Sequence, residues 1–217
     1  MGEAELLKHK NLLIIHAVIF IYGDAANDAI ANFIAADIEH FWNEPEGTVK
    51  IKHEIFNVKF NIEGAWNKAL IPQEVYENTN PRNNYFRIEE YASGNISFVD
   101  GLNSNTGYFK LDNLLHKSTT AAHEFGHTLG LDHPDNLDIR GRGGPGIMYP
   151  RGTIVDPVFQ YNPDAAPGTD GGTLNPYTRK VWQSDIDKLR LHKLNFNASG
   201  FAIVGGFTSV WHDKHLP

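Results

Sequence analysis

Cysteine is absent from the 217 residues of this chain, so the protein forms no disulfide bond and has no thiolate to offer a metal ion. Latency through an internal cysteine is excluded for the same reason, whereas latency through another group, such as an aspartate, is not. Positive charge is also in the minority, because 19 Lys and Arg stand against 26 Asp and Glu, and the net charge is −7. This balance argues against non-specific binding of nucleic acid and favours solubility.

A long apolar segment that could span a membrane is missing as well. The apolar run over residues 11–22 is far too short to cross a bilayer as a helix. It follows the basic residues 8–10 and imitates a secretory signal, but its Ile and Val content and its end at Gly23 favour a buried central strand. Without a signal here, no ordinary export signal is visible. We leave the compartment unassigned and favour an extracellular or exported protein that uses a non-classical route.

The most informative segment reads H-E-x-x-H-x-x-G-x-x-H and begins at His123. Positions i and i+4 share one helix face, so His123 and His127 can direct both imidazoles at one metal ion. Glu124 is rotated about 100° from the first ligand, where it can flank the ion and take a proton from water held there. Gly130 suits a left-handed helix end, after which the chain can turn and bring back His133 as the third ligand.

Three histidines and one water form a catalytic zinc site rather than a closed structural one. A lone H-E-x-x-H often arises by accident, whereas the added Gly130 and His133 make the pattern specific. The remaining alternatives are coincidence and a degenerate, non-catalytic descendant. We predict a helix over residues 119–130, capped by Ser118, Thr119 or Thr120.

A second motif follows the histidines. Residues 146–150 read Gly-Ile-Met-Tyr-Pro, and Met148 is the one methionine besides Met1. A methionine in a turn is often only a core filler, but its position after the long motif favours a supporting role beneath the metal.

Together the two motifs resemble the metzincin zinc metallopeptidases, whose pattern is the long histidine string followed by a Met-turn. His133-Pro134 is similar to the serralysins, and Met148-Tyr149-Pro150 is similar to the matrixins. The position where serralysins and astacins carry a zinc-reaching Tyr holds Pro150, so that ligand is not carried over. The chain thus looks matrixin/serralysin-like with its branch unassigned. Tyr149 and Pro150 become candidates for the substrate-pocket wall.

The resemblance implies an α+β (mixed α/β) fold. We expect a twisted sheet of about five strands with an antiparallel edge strand that pairs with substrate, an active-site helix, a Met-turn and a C-terminal helix. It implies one catalytic domain over residues 1–217, with an N-terminal subdomain 1–133 and a C-terminal subdomain 134–217. Gly130 and Met148 would support the site.

Periodicity along the chain predicts the other elements. We predict strands at 12–22, 49–62 (as one strand or two), 86–91, 95–99 and 107–111, and a helix that Asp24 caps and that runs to about residue 43. Its apolar stripe (Ile30, Phe33, Ile34, Ile38, Phe41 and Trp42) is interpreted as core. A final helix from Ser184 to about 194 and a hairpin over 201–211 complete the prediction.

Several features carry no clear role. Asp164, Asp170 and Gly171-Gly172 in the loop 149–177 allow a calcium site but lack regular ligand spacing, which favours a solvated loop. His9, His16, His40, His116 and His192 lack ligand spacing, and His212 and His215 are expected in a mobile tail. The roles of residues 150–177 and 195–217 stay open.

The expected function is a zinc-dependent endopeptidase in which Glu124 acts as general base toward a protein or peptide substrate. We expect a monomer that binds no nucleic acid and has no membrane-spanning segment. Two alternatives remain, a proteolytic toxin or effector domain delivered by specialised secretion and a non-catalytic zinc-binding recognition module. Substrate, cleavage preference, delivery route and zymogen or inhibitor control are not readable from the sequence.

Overall fold

The computed structural model describes residues 1–115 and 118–217, so His116 lies outside the described residues. The described chain forms one mixed sheet with four α-helices and several short 3-10 turns. The strands are β1 Gly2–Leu7, β2 Leu12–Tyr22, β3 Thr48–Ile51, β4 Glu54–Trp66, β5 Asn83–Glu89, β6 Phe98–Val99, β7 Thr106–Lys110 and β8 Phe201–Val204. The helices are α1 Asp28–Asn43, α2 Pro72–Tyr76, α3 Thr120–Thr128 and α4 Gln183–Lys188.

The apolar run becomes the central strand, β2, with the predicted bounds. It lies parallel to β4 on one side and parallel to the shorter β5 on the other, and β5 lies parallel to β7. Every second side chain from Leu13 to Ile21 is fully or almost fully buried. A strand that is paired on both edges and covered by a helix requires this density of Ile and Val.

The sheet has eight strands among the described residues, where we expected about five. β1 runs antiparallel to the first half of β2, and β8 pairs antiparallel with β1. The predicted hairpin over 201–211 is therefore wrong. Its first half joins a distant strand, and residues 205–211 form no strand. Sequence periodicity identifies a strand segment but not its partner, and the partner here lies about 200 residues away.

Helix α1 packs against β4 and also contacts α3, the helix that bears His123 and His127. Its N-cap is Asn27, whose side chain accepts the N–H of Ile30 at 3.0 Å, so the predicted Asp24 cap is wrong. Of the expected apolar stripe, Ile34, Ile38 and Trp42 are buried, whereas Phe33 is exposed.

Trp42 connects helix α1 with helix α3. The indole Nε1–H of Trp42 donates to the carbonyl of Ala122 at 3.0 Å, and its ring meets Phe125 edge-on. Both contacts fix α3 against α1, because a buried indole needs a hydrogen-bond partner and an aromatic neighbour holds its plane. Helix α3, which bears His123 and His127, therefore packs against the buried core next to the sheet.

The antiparallel edge strand is β6, which pairs only with β7 among the described strands. The two strands are joined through residues 100–105, as expected for segments 95–99 and 107–111. Segment 49–62 forms two strands, β3 and β4, which turn at residues 52–53. The predicted strand near 86–91 corresponds to β5.

The C-terminal part begins after α3 and is mostly irregular. The loop 149–177 is held by its own small core of Ile139, Val155 and Leu174, against which Tyr149 packs. Helix α4 is shorter than predicted. It ends at Lys188, because Arg190 adopts a left-handed conformation (φ 51°) that an α-helix cannot continue through.

Residues 211–215 pack against the sheet instead of forming the expected mobile tail. The His215 ring stacks on Tyr108 with 4.1 Å between centroids, Trp211 stacks on Tyr22, and His212 Nε2 lies 2.9 Å from an oxygen of Asp100. No helix among the described residues is long and apolar enough to cross a membrane.

Candidate metal centre

The three histidines of the long motif converge on one point. Nε2 of His133 lies 3.1 Å from Nε2 of His123 and 3.1 Å from Nε2 of His127. They form a group of ligating side chains that could hold a metal ion, and no other group of three or more is present in the part of the chain that the structure describes. Helix α3 supplies two rings on one face, and the chain after it returns the third.

Hydrogen bonds on the far side of two rings fix which nitrogen faces the centre. His123 donates from Nδ1 to the carbonyl of Ile147 at 2.7 Å, and His127 donates from Nδ1 to the carbonyl of Leu131 at 2.7 Å. A proton held at Nδ1 leaves the lone pair of Nε2 free. Backbone carbonyls in this position orient histidine ligands and raise their basicity.

The charge state of the rings suits a metal. Burial lowers the pKa of His123 well below its usual range, and it also lowers the pKa of His127 and of His133. Arg179 adds to the lowering of all three pKa values. The histidines are therefore neutral at pH 7, which is the form that binds metal.

The spacing is compatible with a tetrahedral metal ion such as zinc. Zinc–nitrogen bonds of about 2.0–2.1 Å at tetrahedral angles place two ligand nitrogens about 3.3 Å apart, close to the 3.1 Å found at His133. His123 is buried, His127 is half-buried and His133 is exposed, so one side of the group faces solvent. Three neutral imidazoles with an open side are the donor set of a catalytic zinc.

Gly130 ends the helix in the left-handed conformation that the sequence predicted, with φ 95°. The N–H of Leu131 reaches the carbonyl of Gly126 at 3.0 Å, and the N–H of Gly130 reaches that of His127 at 3.0 Å. A side chain at Gly130 would also run into Asn103 Oδ1. This tight reversal returns the chain so that His133 meets the rings of α3.

Glu124 follows His123 on α3 and is buried. Burial raises the pKa of its carboxyl to about 8, against the opposing effects of Arg179, Arg151 and the backbone N–H of Val99. A carboxyl of this kind exchanges protons near neutral pH, as a general base or acid requires.

Arg179 is a site residue that the sequence did not reveal. It is 4% exposed, and its guanidinium donates from Nε to Thr119 Oγ1 at 2.8 Å and from Nη1 to the carbonyl of Tyr149 at 3.1 Å. Burial lowers its pKa to about 10, while the Glu124 carboxylate raises it. A lone arginine in an irregular segment carries no spacing signal, so only the tertiary structure identifies it.

Met148 is buried and packs against helix α3 at Gly126. It is 1% exposed, and a Cβ added at Gly126 would overlap its Sδ. The tight turn that carries it closes through the N–H of Tyr149 and the carbonyl of Gly146 at 3.2 Å. The same turn presents the Ile147 carbonyl to His123.

A second buried acid, Asp185, holds this turn from below. Its carboxylate accepts the N–H of Trp182 at 2.9 Å and also the N–H of Ile147. Burial raises the pKa of Asp185, and these two hydrogen bonds oppose the rise. Sequence reasoning placed Asp185 only in a capping pattern, because its contact with the turn spans 38 residues.

The remaining expected residues stand apart from the histidines. Tyr149 and Pro150 are half-buried directly after the turn, and Tyr149 packs on the core of the 149–177 loop. Asp164 and Asp170 are exposed, and neither belongs to a metal-capable group among the described residues, so the calcium expectation gains no support. The same holds for His212 and His215.

Comparison with known proteins adds little to this picture. No family model matches the chain, and no curated protein matches it. Among solved structures, it is similar to one titled "Structure of myroilysin", with 12% identity, a TM-score of 0.40 and coverage of 83% of this chain and 94% of that chain. A likeness at this level leaves the function to be argued from the residues themselves.

Proposed function

We propose that the chain is a zinc-dependent endopeptidase of the metzincin type. One observation carries the proposal. The ligating nitrogens of three neutral imidazoles lie within 4.8 Å of one another with one side open to solvent, and the residue after the first of them, Glu124, carries a buried carboxyl whose pKa is raised to about 8. This combination serves hydrolysis, whereas a structural zinc site would be closed by a fourth protein ligand.

His123, His127 and His133 would hold the metal through Nε2. When bound, zinc supplies a Lewis acid that polarises the scissile carbonyl and lowers the pKa of a coordinated water. Met148 and Ile147 would hold the His123 ring in position. The match of donor type, protonation state and spacing to zinc supports this assignment.

Glu124 would act as the general base. Its carboxylate takes up a proton from the attacking water and passes that proton to the amine that leaves when the peptide bond breaks. Burial favours the protonated carboxyl, and the two nearby arginines oppose it by favouring the ionised carboxylate, which is the form that accepts a proton. No covalent intermediate between enzyme and substrate is needed.

The edge strand β6 would bind the substrate backbone. Its outer edge is unpaired among the described strands, and Val99 on this strand contacts the Glu124 carboxylate through its N–H. An extended peptide added to this edge would place its backbone beside the catalytic carboxyl. Tyr149 and Pro150 would form part of the pocket wall.

Cleavage of an unfolded protein such as casein tests the proposal. Zinc-loaded wild type should cleave it, a chelator should stop cleavage, and zinc should restore it. Glu124→Gln should keep the metal but lose activity by about a hundredfold or more, while Glu63→Gln, at an exposed position, should behave as wild type.

Two other outcomes would redirect the assignment. A wild type that binds zinc but cleaves nothing would identify a recognition module instead. Cleavage combined with toxicity inside a target cell, lost in Glu124→Gln, would identify an effector domain among the peptidases.

A further inference from the structure

Arg151 stands at the tip of a tight turn that follows the pocket-wall residues. The turn is closed by Thr153, whose N–H and Oγ1 both donate to the carbonyl of Pro150, at 3.1 and 2.7 Å. Thr153 is fully buried, whereas Arg151 is exposed. The backbone below Arg151 is therefore anchored while its side chain reaches solvent.

The guanidinium of Arg151 is also tethered to the segment that follows β7. Its Nη2 donates to Asn113 Oδ1 at 3.1 Å, and Nδ2 of Asn113 lies 3.3 Å from Ser97 Oγ. Ser97 directly precedes the edge strand β6. A hydrogen-bonded chain thus links the pocket wall to the edge strand, and an arginine held in this way loses less side-chain entropy when it binds an anion.

Two arginines act on the proposed base although the whole chain carries −7, while the carboxylate of Asp132 acts on His127 and His133. Arg179 and Arg151 are the charged side chains that act on Glu124, and they also act on each other. No carboxylate forms a salt bridge with either arginine in the described part of the chain. Arg179 is buried and spends two donors on Thr119 and Tyr149, so Arg151 is the guanidinium that a substrate can reach.

We propose that Arg151 selects substrates that carry a carboxylate close to the scissile bond. The inference rests on the proposed peptidase function. A tethered guanidinium with free donors pairs with a carboxylate in a bidentate manner, and a neutral amide of the same shape forms weaker hydrogen bonds. The carboxylate can come from an Asp or Glu side chain or from the C-terminus of a short peptide.

The test begins with cleavage-site profiling of zinc-loaded wild type on a peptide library. Around the best cleaved sequence, matched fluorogenic peptides then carry Glu, Gln or Lys at the favoured position, with a free or an amidated C-terminus. The kcat/KM of the Glu peptide should exceed that of the Gln peptide by about fivefold or more, and this ratio should fall with added salt. A preference confined to the free C-terminus would identify the terminal carboxylate as the source.

Variants of Arg151 separate selection from a structural role. Arg151→Gln should reduce the Glu-over-Gln ratio to about one, and Arg151→Glu should reverse it in favour of Lys. Arg142→Gln, an exposed arginine with no effect on Glu124, removes the same charge and should keep the wild-type ratio. Binding of the same peptides to Glu124→Gln, measured by fluorescence anisotropy, should show the same preference without turnover.

Equal cleavage of Glu and Gln peptides by wild type would overturn this inference and leave the peptidase proposal intact. So would a Glu-over-Gln ratio that survives in Arg151→Gln. Absence of all cleavage by zinc-loaded wild type would overturn both proposals.

Discussion

His123 and Ile147 share a hydrogen bond of 2.7 Å that joins the histidine helix to the methionine turn. The peptide of Ile147 is held at both ends, because its N–H donates to Asp185 and its carbonyl accepts the Nδ1–H of His123. A chain of contacts therefore runs from α4 through the turn to the first proposed ligand. Such outer contacts set the direction of a ligand ring and are worth about 10–100-fold in metal affinity.

Asp185→Asn tests this chain. The Asn amide has one acceptor oxygen, so it cannot accept the N–H groups of both Trp182 and Ile147 without strain. We expect a loss of about 1–3 kcal/mol in the free energy of unfolding and about tenfold weaker zinc binding. Urea denaturation and competition with a chromogenic chelator measure the two effects. Asp170→Asn, at an exposed position, is the matched control, and equal zinc affinity in both variants would refute the role of Asp185.

Gly126→Ala tests the packing of Met148 beneath the helix. The new Cβ would overlap Sδ of Met148 and lie 3.1 Å from its Cε and 3.3 Å from Cζ2 of Trp42. Because these neighbours are buried, we expect a cost of about 1–3 kcal/mol in unfolding free energy. Gly152→Ala meets nothing within 4 Å and should change little. Similar unfolding midpoints for the two variants would show that the contact with Met148 is loose.

The stability of the metal-free protein should depend on Glu124 and pH. Burial raises the folded-state pKa of Glu124 to about 8 from 4.5, so between these values the folded protein holds a proton that the unfolded chain has released. Stability from this group is therefore present below pH 4.5 and is lost as pH rises toward 8. Relative to wild type, Glu124→Gln should gain stability from pH 5 to pH 8 in urea titrations of chelated samples. A gain in stability that does not change with pH would contradict the raised folded-state pKa of Glu124.

Zinc should stabilise the protein less in acid than at neutral pH. The folded-state pKa values of all three histidines lie below the ordinary 6.5, so these rings are neutral in the folded protein at pH 7 and gain protons only as pH falls further. Zinc competes with those protons. At a hundredfold excess over Kd, zinc should add about 2.7 kcal/mol at pH 7.5, with a smaller shift in Tm at pH 5. His123→Asn should abolish most of the shift, and an unchanged shift would place the metal elsewhere.

Much of the fold was readable because its signals are local. Residues 12–22 were predicted as a buried strand and form β2 with those bounds, since β-branched residues and a terminal glycine leave few alternatives. The capping of α1 was misplaced because Asp24 and Asn27 are both good caps, and the choice depends on where the chain leaves the sheet. Strand β1 was missed, and β8 was predicted with the wrong partner, because the pairing of β8 with β1 joins residues about 200 positions apart.

The candidate metal centre also has some features that are predictable from the sequence and others that only the tertiary structure reveals. Helical periodicity places His123 beside His127, and a left-handed Gly130 returns His133, so eleven consecutive residues define the three rings and the neighbouring carboxyl. These relations join residues at most ten positions apart, so they do not change with substitutions elsewhere that leave the helix intact. The sequence alone therefore determined the zinc ligands and the base that we propose.

Tertiary structure alone decided what surrounds them. Arg179 meets Thr119 across 60 residues, and Asp185 meets the Ile147 turn from a separate helix. Neither contact has a spacing rule, because the distance between two residues on different elements depends on how those elements pack and not on the chain between them. The placement of two arginines near Glu124, the protonation of Glu124 and the exposure of Arg151 all follow from that packing.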